Sequence, residues 1–170
     1  MIVVSDSSAI INLAAVGELD LLQQLYREVL VPQAVYDEIV VAGAGMAGSR
    51  EAAGLSWIDT RQVTNRSLVE ALLSELHLGE SEAIALASEV GSDLLLIDER
   101  RGRAVAARLG LQRIGLLGVL IDAKQRGVLR EVRPVLDDLR NTAGFWITDA
   151  LYTRVLESAG ELPFDSDGDV

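Results

Sequence analysis

The sequence predicts an α/β sandwich built around a mostly parallel sheet. Three observations lead there. Short unbroken apolar runs, Ile2-Val3-Val4 and Leu94-Leu95-Leu96-Ile97, suit strands buried on both faces, as parallel strands are. Segments of helical spacing alternate with such runs along the chain. Both named runs are followed within two residues by an Asp and then by a helical pattern, as expected of strand-to-helix turns at the carboxyl edge of a sheet.

The elements follow in order. The first strand ends at Asp6, with Ser7, Ser8 and the helical pattern Ala9-Ile10-Ile11-Asn12-Leu13 behind it and Gly17 as a stop. Asp6 has two readings at this point: a helix cap, which Asp makes well, or a ligand-binding group on the rim where open α/β sheets hold their ligands. Glu18 to Tyr26 has helical spacing, and Glu28-Val29-Leu30-Val31 reads as a second strand. Pro32 suits the first turn of a helix running to about Val41, with Val35 and Ile39 inward and Glu38 in its middle. Trp57-Ile58 is a third candidate strand, followed by an amphipathic helix from Ser67 to Leu76. Glu80 to Val90 is a further helix stopped by Gly91, ahead of the Leu94–Ile97 strand and Asp98. Arg101 to Leu109 returns as a helix, Arg113-Ile114 is a short strand, and helices over Leu116–Gln125, Val132–Asn141 and Thr148–Ala159 complete the chain.

Composition narrows the function. The length of 170 residues suits one domain with a sizeable core, placed at 1–160, with 161–170 an acidic tail expected to be disordered. No apolar run reaches membrane length and no signal-peptide pattern is seen, so a cytoplasmic protein without a membrane partner is expected. The absence of Cys excludes disulfides, thiolate metal sites and a Cys nucleophile, and the single His77 excludes a multi-His centre. A net charge of −11 argues on its face against nucleic acid. Its distribution does not: residues 100–133 carry nine positive side chains against two negative, leaving −18 on the rest.

Gly43, Gly45 and Gly48 imitate a dinucleotide-binding fingerprint ahead of Asp59. The fingerprint needs a helix after the glycines to present its N-terminus to a pyrophosphate, and only Ser49 to Ala53 is available. A surface loop is the better reading, with no dinucleotide and no organic cofactor.

The acids carry the chemistry. If the strands ending at Asp6 and Asp98 are parallel neighbours, both carboxylates reach one rim and can share an ion. Glu80 opens the helix before the Asp98 strand, where the helix dipole alone would favour an acid, and Glu82 has the same bland account. Clustered carboxylates need a neutralising cation, and without His or Cys donors the fitting one is a hard ion, Mg²⁺ or Mn²⁺. Such an ion suits phosphoryl chemistry.

The stretches Val-Ser-Asp6-Ser-Ser-Ala-Ile-Ile, Val-Pro32-Gln-Ala-Val-Tyr-Asp-Glu38-Ile, Leu78-Gly-Glu80-Ser-Glu-Ala-Ile-Ala-Leu-Ala and Leu-Leu-Leu-Ile-Asp98-Glu-Arg-Arg-Gly-Arg103, in this order and spacing, resemble a PIN domain over about residues 1–160. More narrowly they resemble an uncharacterised prokaryotic branch similar to the VapC-like toxin ribonucleases of toxin–antitoxin pairs. The resemblance implies a three-layer α/β/α sandwich with about four to five short strands. It implies Mg²⁺- or Mn²⁺-dependent hydrolysis of RNA phosphodiesters, with Asp6, Glu38, Glu80 and Asp98 as the acidic set and Asp6, Asp98 and Glu80 on the metal. The third acid is usually Asp in the family, so Glu82 stands as its alternative by a two-residue shift, and Glu99 is a candidate fifth acid. Arg100, Arg101 and Arg103 are expected to meet RNA phosphates. An antitoxin protein and a homodimeric state are the expected protein partners. Two rivals stand beside this reading: a non-catalytic PIN-like assembly module, which would not retain metal, and a nucleotide-binding protein using the Gly43–Gly48 loop.

Overall fold

The computed structural model describes residues 1–42 and 54–161. Five strands, β1 (Val3–Ser5), β2 (Val29–Pro32), β3 (Ile58–Arg61), β4 (Leu94–Leu96) and β5 (Arg113–Ile114), form one parallel sheet in the order β3-β2-β1-β4-β5. The chain therefore winds outward from β1 to one edge and then returns to start again on its other side. That reversal makes a switch point between β1 and β4, where the following loops part and leave a crevice. The register sets Ser5 beside Leu96, so both strands reach the rim level. The Asp6 N–H bonds the Leu96 carbonyl at 2.9 Å, which carries the pairing one residue further.

Helices cover both faces, as the resemblance implies. One group consists of α3 (Gln33–Ala42), α4 (Arg66–Leu72), α5 (Leu78–Val90) and α6 (Arg100–Arg108). Of these α5 lies across β2, β1 and β4 and packs on the other three. It is buried along most of its length, which explains its run of Ala, Ile and Leu. The second group is α1 (Ser7–Ala15), α2 (Asp20–Tyr26), α7 (Leu116–Gln125), α8 (Val132–Asn141) and α9 (Asp149–Ser158). Val3, Val4, Val29, Val31, Leu95 and Leu96 are buried in the sheet between them, so the three central strands have apolar side chains on both faces, whereas the edge strands β3 and β5 carry Asp59, Arg61 and Arg113.

The expected elements form, with shifted ends. Pro32 is the last residue of β2 instead of the first turn of α3, because its register with Arg61 extends the β2–β3 ladder. The helix expected over Ser67–Leu76 ends at Leu72, yet Leu76 remains buried, with its N–H on the Leu72 carbonyl at 2.9 Å. Trp57 precedes β3, and Asp59 lies within that edge strand, paired with Arg61 at 2.6 Å. Gly91 closes α5 in the left-handed conformation, φ 59°, as a glycine stop does. Glu161, the first residue of the expected tail, is held: its carboxylate accepts from the Val132 and Arg133 N–H groups at 2.7 and 2.9 Å and pairs with Lys124 at 2.8 Å. Residues 162–170 and the Gly43–Gly48 stretch lie outside the described residues. Among the described residues no helix is long and apolar enough to cross a membrane.

Candidate active site

Asp6 and Asp98 stand at the switch point because each ends a strand of this one parallel pair. Asp6 caps α1, its Oδ1 accepting from the Ser8 N–H at 3.1 Å. The cap and rim readings of this residue are thus compatible: the turn that caps the helix also places the carboxylate on the sheet edge. Asp98 is held from the opposite side, its Oδ1 accepting from the Leu116 N–H at 2.8 Å, at the start of α7. Its Oδ2 is buried and, among the described residues, has no hydrogen-bond partner. Gly115 permits this approach, since a Cβ there would fall 2.9 Å from Asp98 Oδ1 and 3.0 Å from Arg103 Nη1.

Two helices bring the remaining acids to the same cleft. Glu38, in the middle of α3, receives the Ser7 hydroxyl at 2.5 Å. Its carboxylate rests on Gly79, where an added Cβ would lie 2.7 Å from Cδ and 2.9 Å from Oε2. Glu80, in the first turn of α5, reaches back toward the His77 N–H at 3.4 Å. Asp6, Glu38, Glu80 and Asp98, with Ser7, Ser8 and Glu99, line a cleft of about 1160 Å³.

Electrostatics show what the cleft lacks. Burial, reinforced by repulsion from Asp98, pushes Asp6 up to about 8, against the Ser8 N–H that favours its charged form. Burial also raises Asp98; the Leu116 N–H opposes this most, and the Ser8 hydroxyl and Arg103 oppose it without closing a hydrogen bond on Oδ2. Glu80 is raised chiefly by burial, with the His77 N–H opposing and Glu99 and Glu38 adding repulsion. Three acids at one rim are therefore short of positive charge. Among the described residues, however, no three His, Cys, Asp or Glu side chains converge closely enough to hold a metal between them.

The other expected site residues divide. Glu82 faces away from the cleft: it is buried, accepts from the Ala34 N–H at 2.9 Å at the start of α3, and pairs with Arg66 at 2.7 Å. Both of its oxygens are engaged in packing α3 and α4 onto α5. Glu99 is exposed at the lip, before the first turn of α6. Arg100 and Arg103 line the cleft, whereas Arg101 borders an adjoining hollow of about 440 Å³ with Glu75, His77 and Glu80. Arg103 is partly occupied, its Nη1 bonding the Ile97 carbonyl at 3.1 Å. Residues the sequence reading did not single out also line the cleft: Ser7, Ser8, Arg113, Phe145 and Trp146. The signal available for the last two was the pairing of adjacent aromatics in a chain only 4% aromatic.

A doubly wound parallel sheet with its acids gathered at the switch point defines a class of α/β protein whose ligand enters at the carboxyl edge. The particular family follows from comparison with family models: DUF3368, a PIN domain, matches residues 2–161, so the chain belongs to the PIN-domain family. No curated protein matches the chain.

Proposed function

We propose that this protein is a divalent-metal-dependent ribonuclease that hydrolyses RNA phosphodiesters. The observation that carries the reading is the buried, unpartnered Asp98 Oδ2 beside Asp6 at the switch point. A buried carboxylate oxygen without a donor is costly, and a cation relieves it. The donors are all hard oxygens, which fit Mg²⁺ or Mn²⁺. Mg²⁺ is commonly held by one or two carboxylates, with waters and substrate phosphate supplying the rest, so two converging acids are enough. Asp6 and Asp98 would hold the ion, with Glu80 beside them. When bound, the ion supplies charge for the phosphoryl oxygens and a more acidic water.

The chain's own groups do the remainder. Glu80, whose proton affinity burial raises, orients the attacking water and takes its proton. Glu38 is fixed by Ser7 and by the missing side chain of Gly79, and it supports that geometry from α3. Arg100, Arg103 and Arg113 meet phosphates on the wall beside Asp98. With a net charge of −11, RNA approach depends on the ion and this local basic wall. The working unit is the single domain of residues 1–160, with the following acidic segment outside the chemistry. The resemblance extends the reading to the toxin of a toxin–antitoxin pair, acting as a dimer and restrained by an antitoxin protein.

The test is cleavage of a mixed RNA pool with Mg²⁺, Mn²⁺ or EDTA, beside Asp6→Asn. Cleavage that needs the ion and is lost in Asp6→Asn supports the reading; ion-independent cleavage, or an active variant, refutes it. The absence of three converging metal donors among the described residues favours one rival, a non-catalytic PIN-like assembly module. A calorimetric Mg²⁺ and Mn²⁺ titration with no binding would select that rival.

A further inference from the structure

Trp146 is 83% exposed, an unusual position for the largest side chain in a chain with two Trp residues. Its exposure does not come from a frayed segment. On one side the Phe145 N–H bonds the Leu139 carbonyl at 2.9 Å, and Phe145 itself packs against the core. On the other side Ile147 is buried, and Thr148 caps α9 by accepting from the Leu151 N–H at 3.1 Å. Both neighbours are anchored, so the backbone presents the indole outward. Trp146 lines the acidic cleft, as do Arg113, Arg100 and Phe145.

We propose that Trp146 is a stacking platform for an unpaired base of the strand that enters this cleft. The inference rests on the ribonuclease reading for the identity of the strand and adds a residue that holds it. An indole offers a flat π-face of low conformational cost, and every base can stack on it irrespective of sequence. Guanidinium groups next to an aromatic face provide the alternation that a single strand requires, phosphate on one and base on the other. A duplex keeps its bases stacked on each other and offers no free face. A protein partner could also bury an exposed Trp, but the arginines and acids that line the same cleft favour a polyanion attached through cations.

The experiment uses a 2′-O-methyl single strand that resists cleavage, its duplex, and an abasic strand of equal length, all in Ca²⁺. Trp57 is 7% exposed, so quenching of exposed-indole fluorescence reports Trp146. The single strand should quench it, and the abasic strand should not. Trp146→Ala should weaken single-strand binding about 5- to 100-fold, with Trp146→Phe recovering most of the loss and duplex binding unchanged. Equal affinity of wild type and Trp146→Ala for the single strand would overturn the proposal. So would wild-type protein that binds no RNA, or a Trp146→Ala variant that loses only self-association by light scattering. Cleavage of an unmodified strand in Mg²⁺ separates the two readings. Stacking without cleavage leaves the platform and removes the nuclease; cleavage with no effect of Trp146→Ala does the reverse.

Discussion

Replacing Asp6 with Asn should stabilise the metal-free protein, and increasingly so as pH rises. In the folded state burial and Asp98 hold the Asp6 carboxyl up to about 8, against an ordinary value of 3.8. Unfolded chains release that proton near the ordinary value, so between about 4 and 8 the folded state carries one more proton than the unfolded state. Stability then falls with pH by up to about 1.4 kcal/mol per unit. This contribution is fully present below the unfolded value and is lost as pH rises through the folded one. Over roughly four units the upper bound is about 5 kcal/mol. Asn keeps the cap on Ser8, since its carbonyl accepts the same N–H. Its amide brings two donors that need partners, so a net gain of ~2 kcal/mol near pH 9 is the expected outcome. Urea unfolding in EDTA at about pH 5, 7 and 9 measures it. The wild-type stability should decline across the series more steeply than that of Asp6→Asn, and Mg²⁺ should restore the wild type alone. Parallel pH profiles, or a variant less stable than wild type near pH 9, would refute the argument that Asp6 is an uncompensated buried charge.

Three further outcomes are expected. Asp98→Asn should lower Mg²⁺ affinity at least tenfold by calorimetry, because with the amide oxygen kept on the Leu116 N–H the unpartnered Oδ2 is replaced by an NH2 that cannot ligate the ion; unchanged affinity would remove Asp98 from the metal site. Arg100→Ala with Arg113→Ala should flatten the salt dependence of RNA affinity by about one unit of log–log slope per lost phosphate contact, and Arg101→Ala, outside the cleft, should leave it unchanged. Glu82→Ala should destabilise the fold by ~2 kcal/mol in thermal unfolding without altering metal affinity, since it strands the buried Ala34 N–H, while the unpaired Arg66 is half exposed and adds little; a loss of metal binding in a folded variant would make Glu82 the third acid after all.

Much of this molecule was legible in the chain because its cues are local. Val3-Val4 and Leu94–Ile97 announce buried strands, although Ile2 of the first run is exposed ahead of β1; an Asp follows each run within two residues, and Gly91 closes the helix before the second. The helices of the C-terminal third show the 3.6-residue period and sit within a residue of their expected ends. Arg100 and Arg103 share a face by their spacing of three, and Arg101 falls on the next face; that division was open to the same periodicity argument.

What only the tertiary structure decided was which faces meet. No local pattern states that β4 pairs with β1, and that pairing alone brings Asp6 to Asp98 across 92 residues of chain. Glu80 and Glu82 read alike in the sequence, but two residues on a helix turn the side chain by about 200°. Packing of α5 beneath α3 therefore sends Glu80 to the cleft and Glu82 to the start of α3. Hydrophobicity would place Trp146 inside; anchoring of Phe145 and Ile147 on either side leaves it in solvent at the cleft mouth. Periodicity gives each element its inward face, whereas sheet order and helix packing, which depend on contacts far apart in the chain, choose the neighbours that make a site.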